Sequence, residues 1–204
     1  MLINKLAVMA AILTLAALHQ AQGTFVENTE FKGELKLFND ADHKAVTSFD
    51  ATVGGHSGPV VNVSTNGIET VDSGAGFANI KPVNGGTLSE LIFTPADDTL
   101  FSDFSFRGQL TQAGTVTLTV VDQFGTAFTF TTQSEGKDDD IPRFGVISFD
   151  GETIQSVTLT ADTFKEFKQV EFSFGVGVPD GGATVMLLGG AMTMLGLARR
   201  FLKS

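Results

Sequence analysis

The sequence predicts an all-β protein, an antiparallel β-sandwich or jelly roll, with an apolar helix at each end of the chain. Three observations lead to this prediction. Apolar and polar residues alternate in short runs, turn-forming residues separate those runs at intervals of about 8–12 residues, and no run between 24 and 178 has the apolar stripe of a helix. The 204 residues fit a single domain of this kind.

The clearest candidate strand is 115–120, in which threonine alternates with Val116, Leu118 and Val120. Because successive side chains point to opposite faces of a strand, one face of this strand is predicted to be buried and the other wet. The candidate strands in chain order are 34–38, 51–53, 60–64, 91–93, 101–106, 115–120, 127–132, 146–149, 154–159 and 170–174.

Turn-forming residues predict how some of these strands connect. Asp122–Gly125 predicts a hairpin that returns through 127–132, and Asp150-Gly151 predicts a second hairpin that returns through 154–159. The segment 162–168 has a composition that allows one helical turn. These connections all favour antiparallel neighbours over parallel ones.

Phenylalanine is the aromatic residue of this chain, with 19 copies, whereas neither Trp nor Tyr occurs. Phe at alternating strand positions is usually core, so Phe128, Phe130, Phe172 and Phe174 are predicted to be buried. The alternative is an exposed aromatic platform for sugar rings. The absence of Trp and Tyr, which combine an aromatic face with a polar edge, weighs against that alternative.

The N-terminal segment has the layout of a secretory signal peptide. Lys5 precedes an apolar stretch from Leu6 to Leu18, and small residues follow at Ala21 and Gly23. The apolar stretch is short for a membrane span, which needs about 20 residues. We therefore expect signal peptidase to cleave after Ala21 or Gly23. The alternatives are a buried N-terminal helix and a permanent membrane anchor.

The C-terminal segment contains an apolar run followed by basic residues. Ala183–Ala198 has no charged side chain, and Arg199, Arg200 and Lys203 come after it. At about 1.5 Å per residue, a helix of this run nearly crosses the hydrocarbon core, and the long basic side chains reach the interface. The basic residues predict a cytoplasmic C-terminus and an exported domain at 24–178. The alternative is an amphipathic core helix.

The same segment resembles the PEP-CTERM class of bacterial sorting signals, in its VPDSG-like variant. The class combines a short proline motif, an apolar helix and a terminal arginine cluster, and all three occur here in that order. The motif residues are Val178, Pro179, Asp180, Gly181 and Gly182. The resemblance implies a Gram-negative host, export through the general secretory route and recognition by a membrane-embedded exosortase. Proteins of this class often accompany exopolysaccharide or biofilm production.

The middle of the chain resembles a β domain that recurs among exported bacterial proteins with such tails. The resembling stretches are 74–82, 104–110 and 164–172. This second resemblance implies export and a β fold, and it implies no substrate.

Charge and composition exclude several functional classes. The formal charge is −10 and no basic stripe is evident, which argues against nucleic acid as a partner. The absence of Cys excludes disulfide scaffolds, Cys-ligated zinc and Cys nucleophiles. His43 and His56 are the two histidines of the exported domain, and neither lies in a hydrolase or metal-binding motif.

Acidic clusters are the remaining candidates for a ligand site. Calcium takes six to eight oxygen ligands, and loops at the edge of a sandwich can supply them. The preferred candidate is the trio Asp138, Asp139 and Asp140, although no Asp-x-Asn-x-Asp-Gly series is present and a solvated loop explains the same residues. No other metal or cofactor is predicted.

These observations predict three segments: a signal peptide at 1–23, a β-sandwich domain at 24–178 and a sorting signal at 179–204. The predicted function is that of a non-enzymatic protein of the cell surface or extracellular matrix, in contact with exopolysaccharide. Its expected partners are signal peptidase, an exosortase and the membrane, through the C-terminal helix. One alternative is a lectin-like or calcium-assisted carbohydrate-binding module, and another is a secreted hydrolase of unrecognised type.

Overall fold

A computed structural model describes residues 25–29, 35–98, 100–134, 140–149 and 151–175. The predicted signal peptide with Ala21 and Gly23, and the predicted sorting signal with residues 178–182, 199, 200 and 203, lie outside these ranges. No helix in the described part of the chain has the length and hydropathy of a membrane span.

The described residues form fifteen strands and one short 3-10 turn, all strand pairs being antiparallel. The strands are β1 (Phe25–Glu27), β2 (Leu35–Asn39), β3 (His43–Val46), β4 (Ser48–Val53), β5 (Val60–Ser64), β6 (Val71–Ser73), β7 (Gly76–Phe77), β8 (Ile80–Pro82), β9 (Glu90–Pro95), β10 (Phe101–Leu110), β11 (Gly114–Asp122), β12 (Ala127–Ser134), β13 (Asp140–Ser148), β14 (Ile154–Thr160) and β15 (Phe164–Phe174), and the turn is Val83–Gly85.

The strands build two sheets that share β2. Sheet I has the order β1-β13-β10-β15, continued beside β15 by β8, β6 and β3. Sheet II has the order β7-β2-β4-β5-β9-β14-β11-β12. Leu35 pairs with Phe172 in sheet I, whereas Leu37 pairs with Val53 in sheet II. Strand β2 therefore passes from one sheet into the other and joins them along one side of the sandwich.

Alternation of side chains decides which face of each strand is buried. In β11, Val116, Leu118 and Val120 are fully buried, while the threonines between them face away from the core. In β10 the spacing is irregular, because Phe101 and Phe104 are three residues apart and both are buried. A register shift between Phe101 and Asp103 explains this, since a bulge returns the next side chains to the core face.

The core between the sheets combines phenylalanine rings, most of them from sheet I, with Val, Leu, Ile and Ala side chains. Phe93 of sheet II lies 5.5 Å from Phe104 and 6.5 Å from Phe172 of sheet I, measured between ring centroids. At the β1 edge, Phe25 of sheet I meets Phe128 of sheet II at 5.4 Å in an edge-to-face contact. Aromatic pairs of this geometry add to the burial of large apolar area. The sheets are therefore held face to face by contacts that neither could make alone.

The structure confirms the all-β antiparallel sandwich and the hairpin between β11 and β12. The Asp122 carboxylate closes that turn by accepting hydrogen bonds from the amides of Phe124 at 2.9 Å and Thr126 at 2.7 Å. The weaker upstream candidates are also strands, as β2, β4 and β5.

The hairpin predicted at Asp150-Gly151 is wrong. Strand β13 pairs with β1 and β10 in sheet I, whereas β14 pairs with β9 and β11 in sheet II, so this connection crosses between the sheets. Contacts to both sides hold it: the Ser148 amide donates to Asp103 at 3.1 Å, and the Thr153 amide donates to Gln123 at 2.7 Å.

Two further expectations need correction. The helical turn predicted over 162–168 is wrong, because β15 begins at Phe164 and is extended. Phe172 is fully buried as predicted and Phe128 and Phe130 pack against the core from partly buried positions, but Phe174 is 46% exposed. Phe174 points to the same face of β15 as the buried Phe172. It is the last residue of the strand, however, and extends past the end of the core.

Replacing Phe93 with Ala removes the ring that contacts both phenylalanines of the facing sheet. We expect the free energy of unfolding to fall by about 3–5 kcal/mol, the range for emptying a buried aromatic site. Chemical denaturation of the purified protein measures this. Ile68→Ala is the control, because Ile68 is 88% exposed and its loss is expected to cost less than about 0.5 kcal/mol. Equal stability of the two variants would contradict the sandwich described here.

Candidate functional site

Threonines on the outer face of sheet II form a regular array across three adjacent strands. Thr119 of β11 lies opposite Thr158 of β14 on one side and Thr129 of β12 on the other. The next row repeats the pattern with Thr160, Thr117 and Thr131. We call these six residues the threonine array: Thr117, Thr119, Thr129, Thr131, Thr158 and Thr160.

The geometry of a β-sheet fixes the spacing of the threonine array. Neighbouring strands lie about 4.8 Å apart, and alternate residues on one strand lie about 6.6–6.8 Å apart. The hydroxyls of Thr119 and Thr129 are within 3.3 Å of each other, and beyond the second row Gln133 donates to Thr115 at 3.0 Å. The array therefore presents hydroxyl and methyl groups at set intervals on a face that the core does not use.

The threonine array is uncharged, although the chain has a formal charge of −10. Along its β9 side the neighbouring residues in register are Ile92 beside Thr158 and Glu90 beside Thr160. Farther along the face, Asn62 on β5 donates to the Asp50 carboxylate on β4 at 2.8 Å. The face thus changes from neutral at β11, β12 and β14 to partly acidic toward β4.

A second feature lies at the opposite edge of sheet II, where β7 and β2 meet β15. A shallow cavity of about 210 Å³ is lined by Lys36, Leu37, Phe77, Ala78, Gln169 and Val170, and we call it the Phe77 groove. The Phe77 ring is 68% exposed, and its edge-to-face contact with Phe38 spans 6.0 Å. The Lys36 ammonium lies 5.0 Å from the Phe77 ring centroid, within cation–π range.

Gln169 reaches the Phe77 groove from an unusual backbone position. It has a φ of 49°, in the left-handed region, within β15. Its side-chain oxygen accepts a hydrogen bond from Arg143 Nη2 at 3.2 Å, and Arg143 Nη1 is bonded to the Glu171 carboxylate. Because Arg143 and Glu171 are both largely buried, this ion pair holds one wall of the groove in place.

His56, one of the two histidines named in the sequence analysis, lies on the surface near this groove. His56 Nδ1 is 2.5 Å from the Asp40 carboxylate, and the His56 ring meets Phe38 at a centroid distance of 4.4 Å. The imidazole is exposed and lies on a loop rather than in a cavity. His43 is placed elsewhere and stacks on Phe49 at 4.6 Å.

The acidic residues have separate roles where they are described. Asp40 contacts His56, and the Asp42 carboxylate accepts a hydrogen bond from the Ala75 amide at 2.7 Å. Within the described ranges, no group of three His, Asp or Glu residues is arranged to hold a metal ion. Asp138 and Asp139 lie outside those ranges, and only the backbone of Asp140 is described, at the start of β13, so calcium at this trio stays a prediction.

Two carboxyl groups have shifted pKa values in opposite directions. Burial works to raise the pKa of Glu166, but the ammonium groups of Lys168 at 2.5 Å and Lys81 at 3.4 Å bring its pKa below the ordinary 4.5. These ion pairs stabilise the fold above that ordinary value, and their contribution is lost as pH falls through the lowered pKa. Burial raises the pKa of Asp103 against the hydrogen bond from the Ser148 amide, so its ionisation opposes folding at neutral pH.

Comparison with known proteins gives little. Neither a protein-family model nor a curated protein matches the chain. One solved structure that aligns with it is a mutant of a family 29 carbohydrate-binding module, from work on the mechanism of ligand recognition by that family. The identity is 12%, the alignment covers 73% of this chain and 89% of that one, and the TM-score is 0.26. A TM-score this low does not establish a shared fold, so the architecture rests on the strand pairing of this chain.

Glu171→Ala is expected to destabilise the protein by about 3–5 kcal/mol, because the guanidinium of Arg143 then stays buried without this carboxylate. The double variant Arg143→Met/Glu171→Leu should recover most of that loss, since two apolar side chains replace the pair. Urea denaturation measures both. A double variant no more stable than Glu171→Ala would show that burial of an unpaired charge is not the cause.

Proposed function

We propose that this protein is an exported, non-enzymatic surface protein that binds a neutral, extended polysaccharide along the threonine array. The observation that carries the proposal is the register of six threonines in two rows across β14, β11 and β12. The opposite side of the same strands is occupied by core residues. The outer side takes no part in this core, so a ligand can bind there without rearranging it.

The chemistry of threonine suits a polysaccharide. Each hydroxyl can donate one hydrogen bond and accept others, which matches the hydroxyls of a sugar, and each methyl group can pack on the C–H surface of a sugar ring. Threonine is stiff about χ1, so the array loses little side-chain freedom when it binds. A repeating ligand can use all positions of a repeating surface, and many weak contacts then add up.

The charge of the protein favours a neutral ligand. A formal charge of −10 repels acidic polymers over long range, whereas the threonine array adds no charge of its own. A neutral polysaccharide avoids this repulsion and loses nothing when salt is added. We therefore expect binding that is nearly independent of ionic strength.

The Phe77 groove supports a second candidate, a lectin-like site for one or two sugar units. The exposed Phe77 ring offers an apolar face, and the Gln169 amide and Lys36 ammonium beside it offer hydrogen-bonding groups. The cavity of about 210 Å³ is smaller than a usual small-molecule site, which limits this candidate to one or two sugar units. The two candidates differ in how affinity depends on ligand length, because the groove saturates with a short saccharide and the array does not.

The sorting part of the proposal is supported by the sequence of the two ends. The charge-free run at 183–198 followed by Arg199, Arg200 and Lys203 suits membrane insertion with a cytoplasmic C-terminus. Pro179 in the preceding motif has no amide proton and a fixed φ, properties that suit the extended backbone a processing enzyme needs. On this proposal an exosortase acts near residues 178–182, and signal peptidase removes the segment up to Ala21 or Gly23.

Thr117→Val/Thr119→Val removes two hydroxyls from the centre of the threonine array and keeps the shape and β propensity of the side chains. At about 0.5–1.5 kcal/mol for each hydrogen bond, affinity should fall about tenfold. The assay is cosedimentation with exopolysaccharide from the native host, with amorphous cellulose and galactomannan as further neutral polymers.

Thr111→Val is the matched control, because Thr111 is an exposed threonine outside the array that follows the end of β10 in sheet I and contacts the Thr163 hydroxyl. Phe77→Ala tests the second candidate in the same assay. Unchanged binding by the double threonine variant, together with loss of binding by Phe77→Ala, would assign the ligand to the groove instead.

The intact mass of the protein recovered from its native host tests the sorting part. We expect a mass that lacks the N-terminal segment and, after exosortase action, the residues beyond the Pro179 motif. Arg199→Glu/Arg200→Glu should leave N-terminal processing intact and reduce surface retention, since the basic cluster no longer keeps the terminus inside. A full-length mass with the same distribution in the wild type and the variant would contradict the sorting proposal.

A further inference from the structure

We propose that one end of the sandwich rests on a lipid surface while the C-terminal segment is in the membrane. This end bears the exposed rings of Phe124, Phe149 and Phe174, and we call it the phenylalanine end. The proposal rests on the membrane role of residues 183–198 proposed above. It adds a second, separate contact with lipid, made by the folded domain.

The three phenylalanines come from different parts of the chain and meet at the same end. Phe124 lies in the turn after β11, Phe149 follows β13, and Phe174 ends β15. Gln123 and Thr153 exchange hydrogen bonds at 3.1 Å and 2.7 Å, which ties the first turn to the connection that begins at Phe149.

The end of β15 joins the same group of loops. A side chain built at Gly175 would lie 3.5 Å from the Thr153 methyl group and 3.7 Å from Ser102. The Gly175 amide also donates to the Leu100 carbonyl at 2.8 Å. The three rings therefore stand on adjoining segments of one surface.

Three of the four exposed phenylalanines in the described part of the chain lie at this end. Phe149 is 70% exposed, Phe124 68% and Phe174 46%, whereas Phe93, Phe104 and Phe172 between the sheets are fully buried. Phe174 stacks on the buried Phe101 at a centroid distance of 5.7 Å, so the apolar surface continues from the end into the core. Several large exposed apolar side chains at one place indicate an interaction surface more often than single ones do.

The chain leaves the sandwich at the phenylalanine end. Gly175 is the last described residue, and the charge-free run begins at Ala183. At most about 3.5 Å per residue, the eight steps between them span no more than about 28 Å. Strand β15, with 11 residues, is itself about 36 Å long. The linker is therefore too short to run back along the domain, and the phenylalanine end is the end held near the membrane.

The first described strand, β1, also begins at the phenylalanine end. Phe25 of β1 pairs with Ser148 at the end of β13, next to Phe149. The N-terminal segment thus also enters at this end. Before signal peptidase acts, the two terminal segments would therefore both attach at this end of the domain.

Acidic residues near the phenylalanine end favour contact with zwitterionic rather than anionic lipid headgroups. Asp97 and Asp98 lie on the loop that joins β9 to β10, beside Leu100 and hence beside Gly175. Carboxylates are repelled by anionic headgroups and tolerated by zwitterionic ones. We therefore expect the phenylalanine end to contact a zwitterionic surface and to be displaced by a high fraction of anionic lipid.

Because the chain contains no Trp, a single introduced Trp can report on the phenylalanine end by its fluorescence. Phe149→Trp places a single fluorophore at the phenylalanine end, and Phe124→Trp does the same from a second loop. Ile68→Trp is the control. Ile68 is exposed on the β5–β6 loop, which is bonded through Thr65 to Thr47 and lies at the end of the sandwich opposite the phenylalanine end. Each variant, produced as residues 24–204 without the predicted signal peptide, is reconstituted into phosphatidylcholine vesicles with and without brominated acyl chains.

We expect blue-shifted emission that brominated lipid quenches at least twofold for Phe149→Trp and Phe124→Trp, and neither effect for Ile68→Trp. Flotation of the vesicles after an alkaline wash reports separately whether residues 183–198 are inserted. Flotation with no more quenching than the control overturns this inference and leaves the tail proposal standing. Failure to float overturns the tail proposal and this inference with it.

Discussion

Phe93 packs against Phe104 and Phe172 of the facing sheet, and this contact helps to hold the two sheets face to face. Each sheet has one apolar face: that of sheet I is rich in phenylalanine, whereas that of sheet II is mainly Val and Leu, with Phe93 among them. Strand β2 also connects the two sheets through its backbone, because its first residues pair in sheet I and its later residues pair in sheet II. When the apolar faces of the two sheets pack together, the opposite face of each sheet points away from the interior of the sandwich.

The unused sides differ, and this difference separates the proposed functions. The outer face of sheet II has the threonine array on three of its strands and the Phe77 groove at its far edge. The outer face of sheet I contains the Arg143–Glu171 pair, which is largely buried and holds Gln169. The end of the sandwich where the chain leaves carries exposed rings. Ligand contact and membrane contact are thus assigned to surfaces that do not overlap.

Sequence reasoning succeeded where structure is local. The β11–β12 hairpin follows from alternation and a four-residue turn, and the carboxylate of Asp122 closes that turn within the same stretch. It failed at Asp150-Gly151, because a turn dipeptide does not say whether the next strand stays in the same sheet. It also failed for Phe174, whose parity is that of the core but whose position is beyond the end of it.

Only part of the two candidate binding surfaces could be predicted from the sequence. The alternate threonines of β11, β12 and β14 are visible there, yet their alignment depends on strand pairing between segments up to 43 residues apart, as in Thr117 and Thr160. The Phe77 groove could not be found, since Lys36, Phe77 and Gln169 are brought together only by the pairing of β2 with β7 and β15. The sequence signals at both ends of the chain concern sorting, and they add nothing about these surfaces.

On the proposal above, the core and the binding face are opposite sides of the same strands. Methyl NMR of the full-length protein in detergent micelles, titrated with neutral oligosaccharides released from the exopolysaccharide of the native host, tests this arrangement. We expect shifts confined to the methyl signals of Thr117, Thr119, Thr129, Thr131, Thr158 and Thr160, with Val116, Leu118 and Val157 unchanged beneath them. Shifts centred on Ala78 and Val170 of the groove, or none at saturating oligosaccharide, would contradict it.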